Sequence, residues 1–250
     1  AEPPAPQFWY VPDQGNDPHL PRCSLQGASM PSRITDDPRI DPRIKTWFGN
    51  MVVPPARDVA SRDELLAEMN GAAAKQMAIT LKGVFDAMDN ETVAPSAGLL
   101  VREHTVVSQP DGNRINIRFV RPETQENLPC VYYIHGGGMQ VMSCHDGHYR
   151  AWARVIAAQG VAVAMVDFRN ALTPSSVPEV APFPAGLNDC ISGLKWMHAN
   201  SAMLNIDTSR IVVAGESGGG NLTLATGLKL KRDGELRLIK GLYALCPYIA

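Results

Sequence analysis

The most informative stretch of this chain is Arg210-Ile211-Val212-Val213-Ala214-Gly215-Glu216-Ser217-Gly218-Gly219-Gly220. A β-branched apolar run enters a turn of the form G-x-S-x-G, and the residues at 222–231 favour a helix. This order predicts a strand, a sharp turn and a helix, with Ser217 at the apex in a strained conformation that holds its hydroxyl clear of the sheet. Gly215 and Gly219 suit such a turn, because side chains there would collide as the helix folds back on the strand.

A glycine-rich loop supplies a second motif. His135-Gly136-Gly137-Gly138-Met139 directly follows an apolar run at 129–134 that predicts a short buried strand. Three consecutive glycines leave backbone N–H groups free to point into a cavity, as the oxyanion hole of an acyl-transfer enzyme requires. A flexible glycine loop is the alternative interpretation, and the serine turn downstream favours the catalytic one.

Strands and helices alternate through the second half of the chain. A hairpin is predicted at 101–108 and 113–121, and further strands at 129–134, 161–168, 211–214 and 241–246. Helices are predicted at 149–159, 184–200 and 222–231. This alternation predicts an α/β fold, with a mostly parallel sheet covered by helices on both faces and the hairpin as an antiparallel edge.

The first 95 residues have a different character. Residues 1–36 are rich in proline, glycine and polar residues and predict an extended arm, after which Asp37-Pro38-Arg39-Ile40 repeats as Asp41-Pro42-Arg43-Ile44. In each repeat we expect Asp as the N-cap and Pro as the first helical residue. One long helix is predicted over 61–90, starting at a capping box of Ser61 and Glu64. Its methionine stripe favours plain packing, with a hydrophobic substrate entrance as the alternative.

We therefore predict an N-terminal arm and helical cap at 1–95, and a core at 96–250 that extends to strand six.

A formal net charge of -2 gives no argument for a nucleic-acid partner. No run of 18 apolar residues predicts a membrane span. Five widely spaced cysteines without a C-x-x-C pair argue against a disulfide framework or a zinc site, which favours a reducing, cytoplasmic location.

Four motifs together indicate a family. They are His135-Gly136-Gly137-Gly138, Asp167-Phe168-Arg169, the stretch at 182–190, and Gly215-Glu216-Ser217-Gly218-Gly219. Over residues 128–250 the chain resembles the hormone-sensitive-lipase-like esterases, which have the α/β-hydrolase fold. Glu216-Ser217-Gly218 differs from the Asp-Ser-Ala usual in that family, and Asn170 replaces a usual leucine. Both departures resemble the brefeldin A esterase branch.

The resemblance implies a carboxylic ester hydrolase in which Ser217 is the nucleophile and forms an acyl-enzyme. The implied oxyanion donors are the backbone N–H groups of Gly137, Gly138 and Gly218. His135 would brace the glycine loop, with Gly136 and Glu216 in supporting positions. The substrate implied is a small-molecule ester with a short to medium acyl chain, whose acyl pocket the N-terminal cap would shape. No metal or organic cofactor is implied.

A serine nucleophile needs a base, usually a histidine oriented by a carboxylate, and in this fold both follow the serine. All six histidines precede Ser217: His19, His104, His135, His145, His148 and His198. A metal pair or substitute base at His145 and His148 is an alternative, although a polar loop with Asp146 as a helix N-cap explains them more simply. We therefore expect the catalytic Asp and His on a C-terminal segment beyond Ala250, which would also cover the apolar edge of the sixth strand.

Two functional alternatives remain at this stage. Small-molecule receptors on the same fold, such as the plant gibberellin receptors, keep the pocket but lack the catalytic histidine. An inactive truncated fragment is the other alternative. A histidine after the eighth strand would discriminate an esterase from both, and homo-oligomerisation stays open.

Overall fold

The computed structural model describes residues 34–49 and 59–249. Two compact units divide the chain, one ending at Asp58 and the other beginning at Val59. Most of the predicted arm, at 1–33, lies outside the described residues. The predicted division into 1–95 and 96–250 stays a prediction.

The first unit contains helix α1, Pro42–Phe48. Asp41 caps it as predicted, accepting a hydrogen bond from the backbone N–H of Arg43 at 2.8 Å, and Pro42 opens the helix. Asp37 makes the matching bond to the N–H of Arg39 at 2.9 Å, but this repeat forms a turn. The repeated tetrapeptide therefore starts one described helix, although the capping interaction occurs twice.

The second unit begins with two helices in place of the single helix predicted over 61–90. Helix α2 is Arg62–Met69 and helix α3 is Ala72–Ala87. The break falls at Gly71, which is extended (φ -66°, ψ 159°), while the Asn70 side chain donates to the carbonyl oxygen of Leu66 at 2.8 Å. Half of the predicted capping box forms, because the N–H of Glu64 donates to Ser61 Oγ at 3.1 Å, while the Glu64 carboxylate accepts from the N–H of Ala60 at 2.7 Å.

Six strands form one sheet among the described residues. They are β1 Leu99–Val107, β2 Arg114–Pro122, β3 Leu128–Ile134, β4 Ala162–Asp167, β5 Ile206–Glu216 and β6 Gly241–Leu245, in the order β1-β2-β4-β3-β5-β6. The pairs β1/β2 and β2/β4 are antiparallel, and the pairs from β4 through β6 are parallel. The predicted mostly parallel sheet with an antiparallel edge is confirmed.

Helices cover both faces of this sheet. They are α4 Gly147–Ala157, α5 Ala185–Ala199, α6 Ser201–Leu204 and α7 Gly218–Arg232, followed by a 3₁₀ turn at Leu236–Leu238. Alternation along β3 separates the two cores: Tyr132 packs in the layer that contains α5 and α7, and Tyr133 packs in the layer that contains α4. The predicted α/β layering is confirmed. Among the residues described, no helix combines the length and apolar character needed to cross a bilayer.

The sheet also brings the two sequence motifs together. Strands β3 and β5 are parallel neighbours, and Ile134 at the end of β3 pairs with Gly215 near the end of β5. The glycine loop follows β3 and the serine turn follows β5, so both leave the sheet at the carboxyl ends of adjacent parallel strands. This edge is where open α/β sheets place their ligands.

Candidate active site

Ser217 occupies the sharp turn between β5 and α7. Its backbone lies at φ 53° and ψ -119°, a positive φ that non-glycine residues rarely adopt. A Cβ added at Gly219 would overlap the carbonyl oxygens of Ile134 and His135, and one at Gly215 would overlap the backbone of Gly219. These two glycines let α7 start directly against β3 and β5, and this approach fixes Ser217 at the carboxyl edge of the sheet.

The glycine loop lies against the first residue of α7. A Cβ added at Gly218 would stand 2.7 Å from the nitrogen atoms of both Gly138 and Met139. Gly137 and Gly138 have φ values of 94° and 62°, a left-handed conformation that suits glycine. Within the described part of the chain, the N–H groups of Gly137 and Gly138 donate to no other group. The N–H of Gly218 lies in the first turn of α7, where a helix offers no acceptor.

Gly136 is different from the other loop glycines, because its N–H is already used. It donates to the hydroxyl of Tyr149 at 2.8 Å. The same hydroxyl donates to Oε1 of Glu216 at 2.5 Å. One oxygen therefore links the start of the glycine loop to the residue before Ser217.

His135 lies behind the loop and is fully buried. Its Nδ1–H donates to the carbonyl oxygen of Gly136 at 2.9 Å, and its ring stacks on Phe168 with centroids 4.3 Å apart. Burial lowers the pKa of His135, although Asp167, with Oδ1 3.6 Å from Nε2, acts in the opposite direction. The His135 Nδ1–H thus binds the Gly136 carbonyl oxygen from the buried side of the loop.

Asp167 fixes the segment that follows the loop. Its Oδ1 accepts from Ser143 Oγ and from the N–H of Cys144, each at 2.8 Å, and its Oδ2 accepts from the N–H of Ser176 at 2.6 Å. Burial acts to raise the pKa of Asp167, but the neighbouring His135 and these hydrogen bonds outweigh it and lower the pKa. The ionised carboxylate is thus a structural anchor beneath the loop.

Cys144, His145 and Asp167 place one possible ligand atom each within 4.8 Å of one another. The oxygens of Asp167 already accept hydrogen bonds, however, and burial raises the pKa of the Cys144 thiol well above its usual value. A thiol that keeps its proton is a poor metal ligand. We therefore assign this group to loop structure.

None of the described histidines makes a hydrogen bond to Ser217. His148 packs between Phe85 and Tyr149, with centroid distances of 4.1 and 3.9 Å, and His198 Nε2 lies 2.7 Å from the carbonyl oxygen of Leu238. His104 packs on Trp196 at 5.0 Å, and His145 Nδ1 lies 3.9 Å from Glu103. Ser217 Oγ makes no hydrogen bond to any described residue. The substitute base considered at His145 and His148 thus finds no support in these contacts, and His19 lies outside the described residues.

Comparison with known proteins gives consistent results. A family profile described as "alpha/beta hydrolase fold" matches residues 131–250. Carboxylesterase NlhH of Mycobacterium tuberculosis is 43% identical over 114 residues, which are 45% of this chain and 32% of that protein. Structures of esterase Est22, one of them with p-nitrophenol, are 58% identical, with TM-scores of 0.84 and 0.83; each match covers 87% of this chain and 63% of that one. Brefeldin A esterase, a bacterial homologue of human hormone-sensitive lipase, is 36% identical, with a TM-score of 0.71 over 85% of this chain and 58% of that one.

This chain has the α/β-hydrolase fold. The predicted resemblance to the hormone-sensitive-lipase-like esterases, and to the brefeldin A esterase branch, is also confirmed. The chain spans about a third of the NlhH sequence and less than two thirds of the Est22 structures.

Two cavities flank the glycine loop. The larger, about 580 Å³, lies between α3 and the segment after the loop, and its apolar lining includes Met77, Leu81 and Met142. The smaller, about 370 Å³, is lined by Gly138 of the loop and by Phe183 and Leu222. Helix α3 has no buried residue and its Met77 lines the larger cavity, so the stripe lies outside the buried core. That the stripe forms a substrate entrance stays a prediction.

Tyr149 contacts both motifs, and sequence reasoning missed it. It was an ordinary member of the helix predicted at 149–159, where a tyrosine near the start carries no special signal. The one clue was Glu216, whose side chain is a methylene longer than the aspartate usual in the family. A longer carboxylate next to the nucleophile indicates that some group beyond the turn receives it.

Proposed function

We propose that this chain carries the nucleophile and the oxyanion donors of a serine carboxylic ester hydrolase. The observation that carries the proposal is the contact between the two motifs: Ser217, at φ 53°, starts α7, and Gly138 packs against Gly218. Strained serine turns beside free backbone N–H groups are typical of acyl-transfer sites. Similarity to carboxylesterases supports the same reaction class.

In the proposed reaction, Ser217 Oγ attacks the ester carbonyl carbon and its proton passes to a base. The carbonyl oxygen becomes negative in the tetrahedral intermediate, where the N–H groups of Gly137, Gly138 and Gly218 stabilise it. Collapse breaks the bond to the alkoxide, which leaves as the alcohol after taking the proton from the base. Water then gives a proton to the base and attacks the acyl-enzyme. Collapse of the second tetrahedral intermediate releases the carboxylic acid, and Ser217 Oγ takes the proton back from the base.

The proposed base and its carboxylate are not among the described residues that contact Ser217. Asp233 and Glu235 are the acids that follow Ser217, and they pair with Lys229 at 2.8 Å and Lys195 at 2.6 Å. Asp233 lies beyond the far end of the 15-residue helix α7. At 1.5 Å per residue that is about 22 Å from Ser217. Neither acid is therefore our candidate for the catalytic carboxylate.

The substrate class proposed is a small-molecule ester with a short to medium acyl chain. The two cavities beside the glycine loop have apolar linings, which suit the acyl and alcohol portions of such an ester. Charged side chains are a minority in the two linings: Lys75, Lys82 and Asp146 in the larger cavity, and Arg169 in the smaller. A p-nitrophenyl ester is a suitable probe, because a similar esterase has a structure with p-nitrophenol.

The test is Ser217→Ala in the full-length protein, assayed on p-nitrophenyl butyrate and labelled with a fluorophosphonate. We expect hydrolysis to fall by about 10⁴-fold or more and labelling to disappear, because the nucleophile is absent. Ser201→Ala is the matched control, since it removes a hydroxyl from α6, beyond the opposite end of β5. Hydrolysis by Ser217→Ala at the parent rate would refute the mechanism. A parent protein that binds esters without turnover would favour the receptor alternative.

A further inference from the structure

Tyr149 connects the two halves of the proposed site. Its ring is 2% exposed, and it lies in the first turn of α4. Its hydroxyl accepts from the N–H of Gly136 at 2.8 Å and donates to Oε1 of Glu216. Gly136 immediately precedes the proposed donors Gly137 and Gly138, and Glu216 immediately precedes Ser217. A single oxygen thus bonds to the neighbours of both the donors and the nucleophile.

The glycine loop, Glu216 and Tyr149 are tightly packed around this hydroxyl. A Cβ added at Gly136 would overlap Glu216 Oε1 and would lie 2.9 Å from Tyr149 Oη. The loop therefore comes as close to the Glu216 carboxylate as a glycine allows. Packing against Tyr133 and His135, with centroid distances of 6.3 and 5.7 Å, holds the Tyr149 ring in place. The position of the hydroxyl is thus determined by a packed core and not by a mobile side chain.

We infer that Tyr149 is a positioning residue that sets the distance between the oxyanion donors and Ser217 by bonding Gly136 and Glu216 through one hydroxyl. This inference rests on the proposed function. By binding the N–H of Gly136, Tyr149 also removes that group from the donor set and leaves Gly137 and Gly138 as the loop donors.

The bond to Glu216 persists over the pH range in which an esterase works. Burial raises the pKa of Tyr149 well above its usual value, and the Glu216 carboxylate that accepts its proton raises it further. The hydroxyl therefore stays protonated and can donate to Glu216 while it accepts from Gly136. An aspartate at position 216 would be one methylene shorter, so the pair needs the glutamate that distinguishes this chain from most of its family.

Tyr149→Phe in the full-length protein tests the inference, because it keeps the packed ring and removes the hydroxyl. We expect kcat on p-nitrophenyl butyrate to fall about 10- to 100-fold, as for a displaced oxyanion donor, with KM within about twofold. Inhibition by an aryl trifluoromethyl ketone, which adds to the serine and forms an oxyanion, should weaken by the same factor as kcat/KM. A purely structural role would not link these two quantities.

Tyr132→Phe is the matched control. It also deletes a buried tyrosine hydroxyl, one that donates to the carbonyl oxygen of Cys190 at 2.9 Å in the other core layer. We expect it to lower the thermal midpoint comparably while kcat stays within twofold of the parent. Equal losses of kcat in the two variants would overturn the inference, because general destabilisation would then explain both.

Glu216→Ala tests the same link by removing the group that accepts from Tyr149. It also provides a test if the Tyr149→Phe protein does not fold. We expect the Tyr149→Phe/Glu216→Ala protein to be no slower than the slower single variant, since both changes break one connection. Losses that multiply would contradict a shared link. If Ser217→Ala keeps the parent rate, the proposed function fails and this inference with it. If hydrolysis requires Ser217 but Tyr149→Phe matches the parent in kcat, only the inference fails.

Discussion

Gly218 lies between Ser217, the proposed nucleophile, and the glycine loop, and its missing side chain lets the loop approach the start of α7. A Cβ there would stand 2.7 Å from the nitrogen atoms of Gly138 and Met139, which is shorter than any ordinary carbon–nitrogen contact. Since α7 has regular helical geometry at this residue, alanine is acceptable to the backbone itself. The substitution therefore separates the geometry of the site from the conformation of the helix.

We predict that Gly218→Ala lowers kcat on p-nitrophenyl butyrate about 100-fold or more, because the added methyl pushes the loop donors away from the oxyanion. Far-ultraviolet circular dichroism should stay unchanged. The measurement is kcat at saturating ester, with the unfolding midpoint as a check of the fold. A variant with the parent's kcat would show that the loop donors do not act where Gly138 now lies.

At the level of residues, sequence patterns located Ser217 and the glycine loop but not their connection. Both motifs are contiguous, so each can be read along the chain. The bond from Tyr149 to Glu216 spans 67 positions and depends on α4 packing on the face of the sheet that contains Tyr133. No local pattern encodes a distance of that kind. Glu216, where aspartate is usual, was the only sign of this hydrogen bond in the sequence.

At the level of elements, hydrophobic periodicity placed the strands and the later helices within a few residues. It did not predict the break between α2 and α3. Periodicity runs through Asn70-Gly71, but an Asn-Gly pair commonly ends a helix, and here Gly71 is extended and serves as the N-cap of α3. Nor did it show that Met77 lies outside the buried core, because an apolar helical face has the same sequence pattern whether it lines a cavity or a core.

Helix α3 gives a direct test of helix propensity. Gly83 lies in its interior, and nothing lies within 4 Å of a Cβ added there. We predict that Gly83→Ala raises the free energy of unfolding by about 0.5–1 kcal/mol, because alanine has less backbone entropy to lose. Urea denaturation at neutral pH measures it. Since Gly83 lines neither cavity beside the glycine loop, the variant should keep the parent's kcat and is also the matched control for Gly218→Ala. A loss of stability would mean that α3 is not helical at this position.

At the level of the whole molecule, the sheet and its two core layers were predictable because strand and helix patterns alternate so regularly. The pKa shifts of interior groups were not predictable from the sequence, since the burial of each group and its charged partners depend on packing. Three buried or half-buried histidines illustrate this: burial lowers the pKa values of His135, His148 and His104. Each stays neutral in the folded chain at a pH at which the unfolded chain takes up a proton.

The sign of the resulting pH dependence follows from proton counting. Below the ordinary histidine pKa of about 6.5, the unfolded state binds more protons than the folded state, so stability falls as the pH falls. Asp167, whose folded pKa is lowered, stabilises the fold above its ordinary value of 3.8 and loses that contribution as the pH falls through its folded pKa. Both effects therefore weaken the fold on acidification, the histidines first.

We predict that the free energy of unfolding decreases between pH 7 and pH 5, and that His135→Asn makes this decrease shallower by up to about 1.4 kcal/mol per pH unit, the equivalent of one proton. His135 should dominate because it is fully buried, and this burial outweighs the opposing effect of Asp167 on its pKa. Urea titrations at half-unit pH intervals measure both slopes. Tyr132→Phe is the control, since it destabilises the core without removing a group that titrates near neutrality, and it should keep the parent slope. An equal slope in His135→Asn would mean that His135 is protonated in the folded chain, and the neutral brace proposed behind the glycine loop would then be wrong.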